Sequence, residues 1–278
     1  MAEIQNEWKQ RAQKEINEPL DLQIPINQLR ELIKKDITLN SRLDDGFMIK
    51  FLRARKYNTS KAFYLLQRYY KARQKDPTLY NLNVGPSTKN LFLETGAVFM
   101  LPDRDQHGRR IFVFRINKAL PDISMDDVFK INYMTFELIS EEPETQIAGV
   151  VIIADLTGFE WHKHHKYLSP YYAKKGAEIV QENFPLRFQG FHFINEPLYI
   201  YTVYSIIKPF LKEKIRCRVH FHGNNLSSLH KYINRNILPD YYGGAICFDP
   251  ASWIHHFLSK DHYFEEIQKY GYNTSVKE

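Results

Sequence analysis

Apolar residues recur at helical spacing through the first quarter of the chain, then give way to short continuous apolar runs. Ile26, Leu29, Leu32 and Ile33 form one stripe, Phe47, Met48, Phe51 and Leu52 a second, and Ala62, Phe63, Leu65, Leu66, Tyr69 and Tyr70 a third. Spacings of three and four lay one apolar face along a helix. Glycine and proline are nearly absent between Asn27 and Asp76, while Asn58, Thr59 and Ser60 offer N-caps for the third helix. The pattern predicts a helical domain over residues 1–78. The turn formers of residues 76–90 predict a linker, bounded at 79–92.

Beyond that linker the period changes. Val98 to Leu101 and Ile111 to Ile116 flank the turn Pro102-Asp-Arg-Asp-Gln-His-Gly108 and predict a hairpin-like pair. Asp126 to Ile139 reads as helix, Gly149 to Leu156 as a buried strand and Ser169 to Phe184 as helix. There follow a strand from Gly190 to Ile194, an apolar helix from Pro197, a strand from Arg218 to His222 and a helix from Leu226 to Ile237. Strands separated by helices imply an α/β domain with a mostly parallel sheet, here residues 93–255, followed by a helical tail at 256–278.

Residues 196–218 stand out within this domain. Leu198, Tyr199, Ile200, Val203, Ile206 and Ile207 lie at helical spacing, while Tyr201 and Tyr204 spread large side chains around the rest of the barrel. A helix apolar nearly all round is buried, or moves between two apolar surroundings. Five basic residues follow within eleven positions, offset only by Glu213.

Composition narrows the setting. A chain of 278 residues with 44% hydrophobic residues can bury a full core. Its apolar runs fall far short of the roughly 20 residues that span a bilayer, and its N-terminus shows neither a basic start nor an apolar signal core. Two cysteines, Cys217 and Cys247, cannot staple a chain this size. A cytoplasmic protein is expected. A net charge of +6 permits an anionic membrane, nucleic acid or an acidic partner.

Candidate chemistries are few. His162, His164 and His165 are interleaved with Lys163 and Lys166, which repel a cation, so no metal site is expected. His220 and His222 alternate along a strand and read as structural. The chain has no Gly-x-Ser-x-Gly elbow, phosphate-cradling glycine loop or His-Glu-x-x-His; no enzyme, catalytic residue or cofactor is expected. Single-strand nucleic-acid binders need exposed stacking aromatics. The aromatics here fall at buried spacing, so nucleic acid is not expected as a partner.

Five blocks then carry a resemblance. Asp45-Gly-Phe-Met-Ile-Lys-Phe-Leu-Arg-Ala-Arg-Lys-Tyr57 is similar to the helical N-terminal signature of the CRAL-TRIO lipid-transfer family. Val151 to Gly158, Phe184 to Pro197, Lys208 to Asn225 and Ile237 to Gly244 follow in the family's order. The match spans roughly residues 25–255 and extends to the tocopherol-transfer and retinaldehyde-binding members. The resemblance implies a hydrophobic pocket closed by a mobile lid helix. Pocket positions would include Phe129, Tyr133, Phe136, Val150, Ala154, Leu168, Ile179, Val180, Phe184, Leu186, Phe188 and Phe191. Residues 197–207 occupy the lid, with Tyr199, Ile200, Val203 and Ile206 as membrane contacts.

The resemblance also implies a basic cleft for phosphatidylinositol bisphosphates at Arg55, Arg187, Lys214 and Arg218. Arg53, Lys208, Lys212 and Arg216 are possible contributors, and Gln189 replaces a basic residue. Lys34-Lys35 and Lys174-Lys175 read as solvated surface. Phe136 stands where tocopherol carriers have a small hydroxyl residue, and Ala154 where they have a large aromatic. A retinoid or another isoprenoid is therefore as compatible as tocopherol. The expected protein is a monomer that carries a small hydrophobic lipid and docks transiently on anionic, phosphoinositide-bearing membranes. The alternative is a phosphoinositide-binding trafficking adaptor with a lipid as structural ligand.

Overall fold

The computed structural model describes residues 6–76, 82–83, 85, 95–118, 124–165 and 169–273. The helical region begins earlier than the three stripes suggest: α1 (Asn6–Ile16) buries Ala12 and Ile16. It is followed by α2 (Gln23–Lys35), a two-residue strand β1 (Leu39–Asn40), α3 (Asp45–Ala54) and α4 (Thr59–Lys75). Local chemistry sets these boundaries. Asp44 caps α3 by accepting from the Phe47 N–H at 2.9 Å, and Asn58 caps α4 by accepting from the Lys61 N–H at 2.9 Å.

The α/β region contains β2 (Val98–Met100), β3 (Arg110–Arg115), α5 (Met125–Ser140), α6 (Pro143–Ala148), β4 (Val150–Asp155), α7 (Trp161–His164) and α8 (Pro170–Glu178). Beyond these come β5 (Phe188–Ile194), α9 (Tyr199–Ile207), α10 (Glu213–Arg216), β6 (Val219–Phe221) and α11 (Leu226–Leu229), then α12 (Ala251–Leu258), α13 (Asp261–Gln268) and β7 (Gly271–Tyr272). Among the described residues the main sheet runs β2-β3-β4-β5-β6, with β2 antiparallel and the remaining pairs parallel. Strand and helix alternation thus gives the mostly parallel sheet that the pattern predicts.

Two elements differ from expectation. The helix expected over Leu226 to Ile237 stops at Leu229 and resumes as a 3₁₀ turn, Arg235–Ile237. The Asn234 N–H donates to Gln106 Oε1 at 3.1 Å, and His230 Nε2 lies 2.8 Å from the Tyr242 carbonyl oxygen. Tertiary partners therefore replace a helical ladder. The expected C-terminal helical tail ends in β7, which pairs antiparallel with β1, Leu39 opposite Tyr272. Residues 271–272 are thereby fastened to the N-terminal helical region.

A continuous core runs from the N-terminal helices into the sheet. It encloses a charged seam. Lys50, fully buried on α3, places Nζ 3.0 Å from Glu141 and 3.6 Å from Glu137. The Tyr69 hydroxyl donates to Glu137 at 2.6 Å. Arg53 is held by Glu18 at 2.7 Å and by Gln146 at 2.7 Å, and the Tyr57 hydroxyl donates to the same Glu18. A buried cation is tolerated when its partners are this close.

Candidate functional site

The strand register divides the sheet's two faces. Phe114 lies opposite Ala154, which lies opposite Phe193, and Phe193 opposite Phe221; one step below, Phe112, Ile152, Phe191 and Val219 form a second row. The lower end of this face is sealed by α5, where Phe136 meets Phe112 at 5.4 Å and Phe188 at 5.2 Å. A register shift between Val150 and Val151 returns Phe188 to the same face as Phe191, 6.0 Å away. Further up, Phe114, Ile152, Phe191, Phe193, Val219 and Phe221 are only half-buried. Interior strands normally hide such side chains completely. The upper face is thus an apolar surface that the protein itself does not fully bury.

Helix α9 lies across that upper face. Ile200, 4% exposed, packs with Ile116, Leu156 and Phe159, while Tyr201 and Tyr204 approach Phe221 at 5.0 and 5.2 Å. The outer side carries Leu198 at 85% exposure and Ile206 at 53%, with Phe210 just beyond. Val203 is half-buried, and Tyr199 rests between Phe159 and Trp161, 5.7 Å from each. The four expected membrane contacts therefore divide: Ile200 faces inward, Ile206 outward, and Tyr199 and Val203 sit between. Hydrogen bonds secure the foot of the helix, where buried Glu196 accepts from the Tyr201 hydroxyl at 3.0 Å and the Gly223 N–H at 2.8 Å.

The remaining expected pocket residues occupy several places. Tyr133, Phe184, Leu186 and Val150 belong to the continuous core, with Phe184 also meeting Tyr69 of α4. Phe129 stacks on Tyr172, and Val180 lies on the π-helical turn Ile179–Asn183. Leu168 lies outside the described residues. Ile179 lines a polar groove of about 580 Å³ between α4 and α8, with Arg68, Lys71, Lys75 and Lys174. That groove lies away from the apolar sheet face beneath α9. Lys175 departs from the solvated reading: its ammonium pairs with Asp76 at 2.7 Å and Asp126 at 3.2 Å and lies over the Phe129 ring.

The four expected phosphate-binding residues come together at the lower edge of the sheet. Arg55 follows α3, Arg187 precedes β5, Lys214 lies on α10 and Arg218 precedes β6. Burial pushes the Lys214 ammonium below its ordinary range, and repulsion from Arg218, Arg187, Lys56 and Arg55 adds to the shift. Burial also lowers Arg187, where repulsion from Arg218 and Arg11 opposes the attraction of Glu15. The Arg187 and Arg218 guanidiniums each donate to a main-chain carbonyl, of Ile147 and Phe188. Gly149 permits this approach: at φ +92° it leaves room for the Arg187 carbonyl, which a Cβ would meet at 2.2 Å.

The possible contributors do not join them. Arg53 is buried on Glu18, Lys212 pairs with Glu182 at 2.6 Å and Arg216 pairs with Glu213, while Lys208 is exposed at the end of α9. Lys56 joins instead. Its place in the run Arg53-Ala-Arg-Lys56 was a visible signal, but its direction depends on a left-handed turn. The histidines on the opposite sheet face form a stack, His192 lying 5.0 Å from His220 and 5.3 Å from His222 between ring centroids. Burial pushes His192 down to about 3. Asp155 accepts hydrogen bonds from Thr157, Asn195 and Tyr242, a structural duty. Among the described residues no His, Cys, Asp and Glu group is arranged to hold a metal, and no helix is long and apolar enough to cross a membrane.

An apolar sheet face beneath an amphiphilic helix describes a protein that holds a hydrophobic molecule. Profiles of known families agree: the CRAL/TRIO domain matches residues 94–244, and the CRAL/TRIO N-terminal domain matches residues 25–74. The chain is similar to Clavesin-2 of Mus musculus, 36% identical over 287 residues that cover 100% of this chain and 86% of the relative. It is also similar to Clavesin-1 of Pongo abelii, 37% identical over 268 residues, covering 94% and 75%. The crystal structure of Sfh5 shares the fold, with a TM-score of 0.56 at 14% identity, covering 95% of this chain and 99% of the other. The chain belongs to the CRAL-TRIO family of lipid-binding and lipid-transfer proteins.

Proposed function

We propose that this protein takes up an isoprenoid lipid, a tocopherol, a retinoid or a relative, against the sheet face beneath α9 and carries it between membranes. The half-buried row Phe114, Ile152, Phe191, Phe193 and Phe221 carries the reading, because an apolar ligand would complete its burial. Hiding about 400 Å² of apolar surface would contribute on the order of 10 kcal/mol, so release into water is slow and a membrane must receive the cargo. Swinging α9 outward would expose Ile200 and Val203 alongside Ile206 and Leu198, and a bilayer interface absorbs such side chains. Opening and docking are coupled in this way.

Arg55, Arg187, Lys214 and Arg218 supply the electrostatic half, by binding phosphoinositide head groups of a cytoplasmic leaflet. Each cation close to an anionic surface contributes about 1 kcal/mol, so four hold the protein transiently. The protein acts as a cytoplasmic monomer without cofactor or bond chemistry. Organic extraction of the purified protein followed by mass spectrometry tests the reading. Recovery of a stoichiometric isoprenoid is expected; no bound lipid, together with no uptake of labelled tocopherol or retinoid, overturns it.

A further inference from the structure

The polar groove between α4 and α8 shares no residue with the basic cleft. Ala72 and Ile179 give it an apolar lining, and its walls carry five basic residues against two acidic ones, Asp76 and Glu178. Two of the five cations are already matched. Arg68 pairs with Glu182 at 2.9 Å and is attracted by Glu178, and Lys175 pairs with Asp76 and Asp126. Lys71, Lys75 and Lys174 are exposed and make no ion pair with a described residue, Lys71 lying over the Tyr272 ring, 5.5 Å from its centroid. Lys71 and Lys75 stand one turn apart on α4, and Lys174 stands on the opposite wall.

The groove also holds a buried donor. The chain leaves α8 through the π-helical turn Ile179–Asn183, and both end residues of that turn line the groove. Such turns are rare and occur frequently at functional sites. Asn183 is 8% exposed. The Arg68 Nε–H donates to its Oδ1 at 3.0 Å, so its amide nitrogen faces away from Arg68, and no acceptor among the described residues takes that N–H. Buried amides are seldom left this way.

These groups set the chemistry of the ligand. The three unmatched cations are spread over two helices, so a ligand with one anionic group would leave two of them unmatched. The apolar lining and the exposed Tyr171 ring suit carbon atoms between the charges, while the Asn183 amide calls for a neutral acceptor. An extended peptide supplies all three. Acidic side chains two positions apart project to one side at about 6.6 Å, close to the rise of about 6 Å between Lys71 and Lys75, and every residue offers a main-chain carbonyl. A flat bilayer does not reach into a concave groove.

We infer that the groove between α4 and α8 docks an extended acidic segment of a partner protein. Lys71, Lys75 and Lys174 take its carboxylates, and Asn183 takes a main-chain carbonyl. The site uses no residue of the cargo face, so it stands or falls independently of lipid carriage.

The probe is a fluorescein-labelled octapeptide with glutamate at alternate positions and leucine between them, compared with the same peptide carrying glutamine. Fluorescence anisotropy with the full chain should show saturable binding of the glutamate peptide alone. Lys75→Gln combined with Lys174→Gln, one from each wall, should weaken it about five-fold, the equivalent of two exposed ion pairs. Lys35→Gln, exposed on α2, should leave it unchanged. Asn183→Asp keeps an oxygen for Arg68 but removes the amide donor, and should also lose affinity at an unchanged melting temperature.

No saturable binding, equal binding of the glutamine peptide, or an unchanged double variant overturns the site. An Asn183→Asp protein that binds like the parent removes the main-chain contact and the peptide reading with it. Inorganic phosphate at matched ionic strength should not displace the peptide; displacement assigns the groove to a small anion instead. Phosphatidylserine vesicles should bind the double variant as they bind the parent, and a five-fold loss on vesicles assigns the groove to the membrane and overturns the partner segment.

Discussion

Lys50 and Arg53 lie on the same helical segment as Arg55 and Lys56, within two turns, yet the two pairs have opposite fates. Lys50 and Arg53 are buried among Glu137, Glu141 and Glu18, so each charge has its counter-ion inside the protein. Arg55 and Lys56 join Arg187, Lys214 and Arg218, where the cations crowd Lys214 and the nearest carboxylate contact is Glu15, 3.9 Å from Arg187. Paired cations join two parts of a fold; unpaired ones gathered at a surface wait for an anion from outside. A basic residue's role thus follows from its partners rather than from its type or position in sequence.

Removing the paired side should show the largest effect. Lys50→Ala leaves Glu137 and Glu141 buried without their cation and should lower the unfolding free energy by about 3–5 kcal/mol, read by urea titration. Emptying the unpaired side should do the reverse. Replacing Arg55, Arg187, Lys214 and Arg218 together by Ala should weaken phosphoinositide vesicle binding by about two to three orders of magnitude. Melting temperature and lipid loading should hold, since repulsion is relieved and the apolar face is untouched. If loading falls in parallel, cleft and pocket are not separate.

The gate gives a smaller and cleaner comparison. Ile206 already faces water, whereas Ile200 supports a local core. Ile206→Asp should therefore slow transfer to acceptor vesicles by about one to two orders of magnitude at unchanged stability, the loss of one apolar contact worth about 1.5–3 kcal/mol. Ile200→Asp should also lower the melting temperature. Equal transfer rates for Ile206→Asp and the parent would remove the outer face of α9 from the docking surface.

The smallest effect is on pH. His192 stays neutral in the fold down to about 3, whereas the unfolded chain binds its proton near the ordinary value of 6.5. The unfolded state therefore holds more protons between those values, and stability is complete above about pH 6.5 and falls as pH drops. Glu141 acts in the same direction at lower pH: burial would raise it, but Lys50 and Arg42 hold it below 4.5. Its contribution is present above pH 4.5 and lost as pH falls through the depressed value. His192→Gln should flatten the slope between pH 6.5 and 4.5, by up to about 1.4 kcal/mol per unit, and leave the lower limb, which thermal melts across this range would show.

Most of the architecture was legible along the chain. Helical stripes, buried-strand runs and their alternation reported the N-terminal helices and the parallel sheet, because periodicity records which face an element buries. The α9 segment was legible for the same reason, as was the set Arg55, Arg187, Lys214 and Arg218 through its resemblance. Facing was not. The register shift that turns Phe188 toward Phe191, the burial of Lys50 and Arg53, the left-handed turn that aims Lys56 and the return of β7 to β1 all depend on contacts between residues distant in sequence. Periodicity determined by itself that this protein has a helical region, a sheet and an oily helix beside a basic run. Only the tertiary structure decided which cations meet carboxylates and which meet one another, because Coulomb energy depends on separation in space and on burial, and a linear sequence specifies neither.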